Sequence, residues 1–117
     1  MHRLAIVVSA TLTYLAAHAP ANAMELCEAL DAAEETRTQV SGLVDTVGQE
    51  TDDAYLFLSD NAGSCVMLVF VTDPKMVAPC EKGMNATAIG VLRWDEEAMY
   101  EEDLDQNLLD EASVVCE

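Results

Sequence analysis

The stretch GSCVMLVFVTD, residues 63–73, sets a cysteine beside a dense apolar run that stops at Thr72-Asp73, just ahead of Pro74. A bilayer span needs roughly 20 apolar residues, so this run is too short to cross a membrane. Val, Phe and their kind favour a pleated surface, which makes a strand the better reading. Asp60-Asn61-Ala62-Gly63 immediately before it is turn chemistry, since Asp and Asn bond their own backbone and Gly adopts left-handed angles freely. Residues 54–59, AYLFLS, place aromatics and leucines on alternating faces. The two runs are expected to pair as a β-hairpin.

Working outward, residues 39–47, QVSGLVDTV, read as a preceding strand in which Gly42 marks a bulge or a tight bend. A polar loop, GQETDD, fills 48–53. Downstream, residues 75–82, KMVAPCEK, suggest one helical turn or an irregular connection. A fourth strand follows Gly83 through MNATAIGVLRW with Gly90 inside it, and residues 112–116, ASVVC, close the chain as a short fifth strand. Residues 24–38 carry apolar Leu26, Ala29, Leu30 and Ala33 at three- and four-residue spacing, which predicts a short helical extension. Five strands are too few for two full sheets but enough for a closed barrel without exposed edges. Internal glycines let such strands coil sharply. The expected fold is all-β: a five-stranded barrel with a short N-terminal helix.

The first 23 residues read as a signal peptide. Arg3 precedes an apolar segment, LAIVVSATLTYLAA, and Ala21 and Ala23 stand where a signal peptidase reads small residues. Cleavage is expected between Ala23 and Met24, giving a periplasmic or secreted bacterial protein with no membrane insertion afterwards. All four cysteines (Cys27, Cys65, Cys80 and Cys116) follow that bond, at spacings of 38, 15 and 36 residues. An even count in a small exported domain points to two disulfides. The spacings fit no zinc pattern, no C-x-x-C is present, and both histidines, His2 and His18, precede the cleavage point.

Charge is the strongest compositional signal. All 22 acidic residues lie beyond the signal, against Arg37, Lys75, Lys82 and Arg93, so the mature chain is one unit more negative than the −17 of the whole. Nucleic-acid binding relies on Lys and Arg displacing counterions, and such a chain repels phosphate. No nucleic acid is expected as a partner; a protein partner or an uncharged ligand is.

The segments VSGLVDTV, AYLFLSDNAGSCVMLVF and KGMNATAIGVL together resemble the oligonucleotide/oligosaccharide-binding (OB) fold. They are nearest in kind to small exported bacterial versions related to the tRNA-anti-like group. The likeness carries a V-x-G-x-V first strand, YLFLSD at the second strand and turn, and K-G-x-x-x-T-A-x-G at the fourth, over residues 39–117. In that fold the third and fifth strands run parallel. The resemblance therefore implies pairing of Cys27 with Cys65 and of Cys80 with Cys116, at opposite ends of the barrel. It also implies a binding face on the second and third strands and their flanking loops, where Tyr55, Phe57 and Phe70 would lie. Asp52, Asp53, Asp60 and Asp73 would line that groove, with Lys75 as its nearby cation.

Residues 95–105, DEEAMYEEDLD, hold seven carboxylates in eleven positions. Hard cations want several oxygens, so Asp95, Glu96, Glu97, Glu101, Glu102 and Asp103 form a candidate calcium set, though without an EF-hand pattern. Calcium is the single cofactor the sequence suggests. Trp94 and Tyr100 flank this segment, either pinning it to the barrel or presenting a patch to a ligand. With no histidine after cleavage, no G-x-S-x-G and no glycine-rich phosphate loop, the chain is expected to bind rather than catalyse. A binding or interaction module for a protein or another non-phosphate ligand is the first reading. A calcium-dependent module and an oligosaccharide-binding accessory domain are the alternatives.

Overall fold

In a computed structural model, which describes residues 21–50, 52–95 and 106–117, six strands surround one core. They are β1 (Asn22–Met24), β2 (Arg37–Glu50), β3 (Asp53–Ser59), β4 (Val66–Val71), β5 (Asn85–Trp94) and β6 (Asn107–Cys116). A four-residue helix, α1 (Leu26–Ala29), follows β1, and a 3-10 turn, Pro74–Met76, lies between β4 and β5. The order β2-β3-β4-β6-β5 closes on itself through β2–β5 pairing, which makes a five-stranded barrel with β1 as an outlying edge strand. The expected all-β barrel is present.

Closure depends on β2, which serves two neighbours. Residues 37–43 pair with β5 and residues 43–50 with β3, with a register shift between Val44 and Thr46. At the crossing, a Cβ on Gly42 would stand 2.7 Å from the Ser59 carbonyl oxygen, so only glycine lets the two backbones meet. The inward faces follow the two-residue period of pleated strands. Val40, Val44, Leu56, Leu58, Met67, Val69, Leu92 and Leu109 fill the barrel and are essentially inaccessible to water. Each such side chain contributes about 1.5–3 kcal/mol of transfer free energy.

The bridges join Cys27 to Cys65 and Cys80 to Cys116, the pairs the resemblance implies, with Cα atoms 5.4 Å apart in both. Cys65 precedes β4 and Cys116 ends β6, and those strands run parallel, so the staples act toward opposite ends. The chain-entropy model gives about 4 kcal/mol for closing a loop of this size.

Three elements differ from the sequence expectation. The helix, short as expected, is a single turn that stops before Ala33 of the apolar spacing. The Asn107 side-chain amide donates to the carbonyls of Ala29 and Ala32 at 3.0 and 2.9 Å, and its backbone N–H to that of Leu30 at 2.9 Å. Those bonds satisfy the carbonyls that a further helical turn would use, and Ala33 ends up exposed. Residues 22–24 pair in parallel with Thr38–Val40, across the expected cleavage bond. The last strand begins at Asn107, twice the length read from residues 112–116. Its first half was hidden because Asp110-Glu111 interrupts the apolar alternation.

That interruption is a β-bulge. Val91 opposes Asp110 and Ile89 opposes Ser113, so Gly90 faces two residues of β6. Glu111 takes up the extra length at φ 50°, the left-handed region that non-glycine residues rarely adopt. A Cβ on Gly90 would lie 2.5 Å from the Asp110 carbonyl oxygen, which explains the second internal glycine.

Candidate functional site

The outward positions of β3 and β4 carry an apolar face. Tyr55 opposes Phe70 and Phe57 opposes Leu68 across the hairpin. The Tyr55 and Phe57 rings meet edge to face with centroids 6.0 Å apart, a favoured aromatic geometry. Tyr55 lies over Gly48 on β2, close enough that a Cβ there would collide with the ring. Leu68 and Leu108 are buried although they alternate with core residues and stand outside the central cluster. All three aromatics are half-buried on the outside of the barrel rather than in its core.

A cleft of about 440 Å³ opens at one side of this face. Phe70, Trp94 and Leu108 supply its apolar wall, and Asp52, Asp53, Asp110 and Glu111 its acids. Trp94 is placed by the end of β5, opposite Asn107, with its backbone N–H 3.4 Å from a Glu34 carboxylate oxygen. Of the sequence-predicted aromatics, the cleft joins Phe70 and Trp94; Tyr55 and Phe57 sit beside it on the same hairpin. Tyr100 lies outside the described residues, as do Glu96, Glu97, Glu101, Glu102 and Asp103 of the candidate calcium set. Asp95, which is described, is 3% exposed at the end of β5.

Arg93 is the cation in this cleft, and it is heavily engaged. Its Nε donates to Asp110 at 3.0 Å and its Nη2 to Glu111 at 2.7 Å, while Nη1 lies 3.6 Å from Glu35. Consecutive residues of a regular strand point to opposite faces; the bulge turns both Asp110 and Glu111 onto one guanidinium. Glu35 also has left-handed backbone, φ 61°. The hydrogen bond to Glu111 raises the Arg93 pKa further, with Asp110 adding to it. Exposed pairs of this kind add little to folding, so the cluster sets the charge of the cleft more than the stability of the barrel. Sequence reading missed Arg93, Asp110, Glu111 and Leu108. The available signal was two adjacent acids interrupting LLDEASVV, residues 108–115.

Two acids expected in the groove are elsewhere. Asp60 closes the β3–β4 turn, where its carboxylate accepts from the Cys65 N–H at 3.0 Å and from the Ser64 hydroxyl at 2.9 Å. The Cys65 N–H is the main reason its pKa falls below the usual aspartate value. Asp73 caps the 3-10 turn by accepting from the Lys75 N–H at 3.0 Å. Cys27, Asp60 and Cys65 bring sulfur and oxygen atoms within 4.8 Å of one another, but both sulfurs are committed to the disulfide and offer no thiolate to a metal.

A second cleft, about 620 Å³, runs along the outside of β2 and β5. Gln39, Ser41, Asn85 and Thr87 line it, and the Ser41 and Thr87 hydroxyls are hydrogen-bonded at 3.2 Å. No aromatic side chain lines it.

Comparison with known structures shows the OB fold. An OBody bound to hen egg-white lysozyme superposes with a TM-score of 0.66 at 12% identity, over 84% of this chain and 96% of that one. The p204 HINb domain gives 0.62 at 15% identity, over 82% of this chain and 47% of that one. The S. pombe Stn1–Ten1 complex gives 0.54 at 12% identity, over 79% and 73%. No family model and no curated protein matches the chain.

Proposed function

We propose that this chain is an exported bacterial binding module, without catalytic activity, whose disulfide-stapled OB barrel engages a protein partner through the Phe70–Trp94 cleft. The observation that carries this reading is the electrostatics of the cleft. Its arginine is neutralised by three carboxylates, so the face on which nucleic-acid-binding OB folds stack bases holds no cation to spare for phosphate. Two disulfides and no helix, among the described residues, long and apolar enough to cross a membrane are consistent with an oxidising compartment. The OBody neighbour, bound to lysozyme, is an OB barrel engaging a protein.

The test is capture of a specific protein from an extract of exported proteins by the oxidised domain beginning at Met24. Phe70→Asp, which buries no new charge in the barrel, should abolish capture while leaving the fold intact by circular dichroism. Equal capture by the variant would reject the cleft. The calcium-dependent alternative predicts heat on titration with calcium and a higher Tm; silence in both removes it. Binding of a neutral glycan series, competed by the same variant, would favour the oligosaccharide reading instead.

A further inference from the structure

We infer that the Phe70–Trp94 cleft receives a basic segment of its partner, one that sets an arginine or lysine beside an aliphatic or aromatic side chain. This rests on the proposed use of the cleft as the binding site and adds the chemistry of its occupant.

Two properties of the cleft select this occupant. Its apolar wall, Phe70, Trp94 and Leu108, would gain by covering hydrocarbon. Its rim, Asp52, Asp53, Asp110 and Glu111, carries four carboxylates against the single charge of Arg93. An anion meets net repulsion there, and a neutral apolar ligand gains nothing from the Asp52 and Asp53 carboxylates. A bare metal ion would satisfy the acids and leave the wall wet. A side chain that joins a hydrocarbon stem to a cationic head uses both at once. Trp94 adds a ring face to which a guanidinium is attracted.

Arg93 shows that the rim accepts a guanidinium. Asp110 and Glu111 hold it through separate nitrogens, Nε and Nη2, in the charge-assisted geometry that makes arginine–carboxylate pairs selective. The chain's own arginine thus shares the carboxylates that a partner's arginine would approach. It lowers the negative charge of an empty cleft and competes with the incoming residue. Removing it should tighten binding of a cation.

Trp94 is the only tryptophan in the sequence, so its fluorescence reports the cleft directly. The probe is a ten-residue peptide alternating arginine and valine, compared with its glutamate–valine counterpart, a neutral glutamine–valine peptide and a single-stranded oligonucleotide, at physiological salt. The arginine peptide alone should shift Trp94 emission saturably. Asp52→Asn/Asp53→Asn should weaken it at least tenfold, and Arg93→Met should strengthen it about threefold. If the neutral peptide or the oligonucleotide moves Trp94 and the arginine peptide does not, the cleft is a site but the basic occupant is wrong. If calorimetry detects the arginine peptide while Trp94 stays silent and both variants bind as wild type, attraction is to diffuse surface charge. That result would overturn this inference and the assignment of the cleft together.

Discussion

The two clefts on the outside of the barrel arise from the same curvature and both carry carboxylates, Glu25, Asp60 and Glu117 in the second, yet their walls differ. The first has aromatic and leucine walls, a carboxylate rim and a strained bulge beneath it. The second is floored by hydroxyls and amides, of which the Ser41 and Thr87 hydroxyls bond each other. Concavity is a by-product of closing five strands; it does not mark a site. What separates the clefts is aromatic surface held half-exposed beside an arginine–carboxylate cluster, an arrangement that folding alone gives no reason to keep.

The largest expected effect comes from the bridges, both of which flank the second cleft. Glu117, next to Cys116, and Asp60, held by Cys65, line it. Replacing Cys80 and Cys116 by alanine should cost about 4 kcal/mol, read as a lower denaturation midpoint. Amide exchange should rise around Asn85 and Thr87 more than around Phe70; a uniform rise would show that the clefts are not separately supported. Next comes the floor of the first cleft. Leu108→Ala should cost about 2–4 kcal/mol and red-shift Trp94 emission, because Leu108 is buried outside the central core.

Gly90→Ala should cost about 1–3 kcal/mol, since its Cβ would drive against the Asp110 carbonyl. Unlike the preceding change, it should also alter the salt dependence of peptide binding by moving the Asp110–Glu111 pair. The Asp60 effect is a matter of pH. Its carboxyl titrates below the usual aspartate value, of about 3.9, so it stabilises the fold above that value and the stability is lost as pH falls through the depressed one. Asp60→Asn should lower Tm at neutral pH and flatten its acid decline, with Trp94 fluorescence unchanged. Smallest of all, Ser41→Ala and Thr87→Ala should each stay within about 0.5 kcal/mol. A larger loss in either would mean that the polar cleft holds up the barrel after all.

Much of the fold could be read from residues alone. The hairpin of residues 54–72, the strand around Gly42 and the strand around Gly90 all declared themselves through alternation and turn chemistry, signals carried by near neighbours. The site was half legible. Phe70 and Trp94 stood out as aromatics, but their partner Leu108 fell between the acidic segment of residues 95–105 and the strand read at residues 112–116. Asp60 and Asp73 looked like groove acids until the structure showed each occupied with nearby N–H groups. The end of the helix depended on Asn107, more than 70 residues away, and no local pattern could announce it.

By itself the sequence determined the class of the molecule: alternating apolar runs, sharp turns and an excess of acid dictate a small, negatively charged barrel, because side-chain period and net charge are properties of the chain in any conformation. Tertiary structure alone decided where the charge is concentrated. Arg93, Glu35, Asp110 and Glu111 converge only because β5 and β6 pair in a register broken by one extra residue, and a bulge is a relation between strands that neither strand contains.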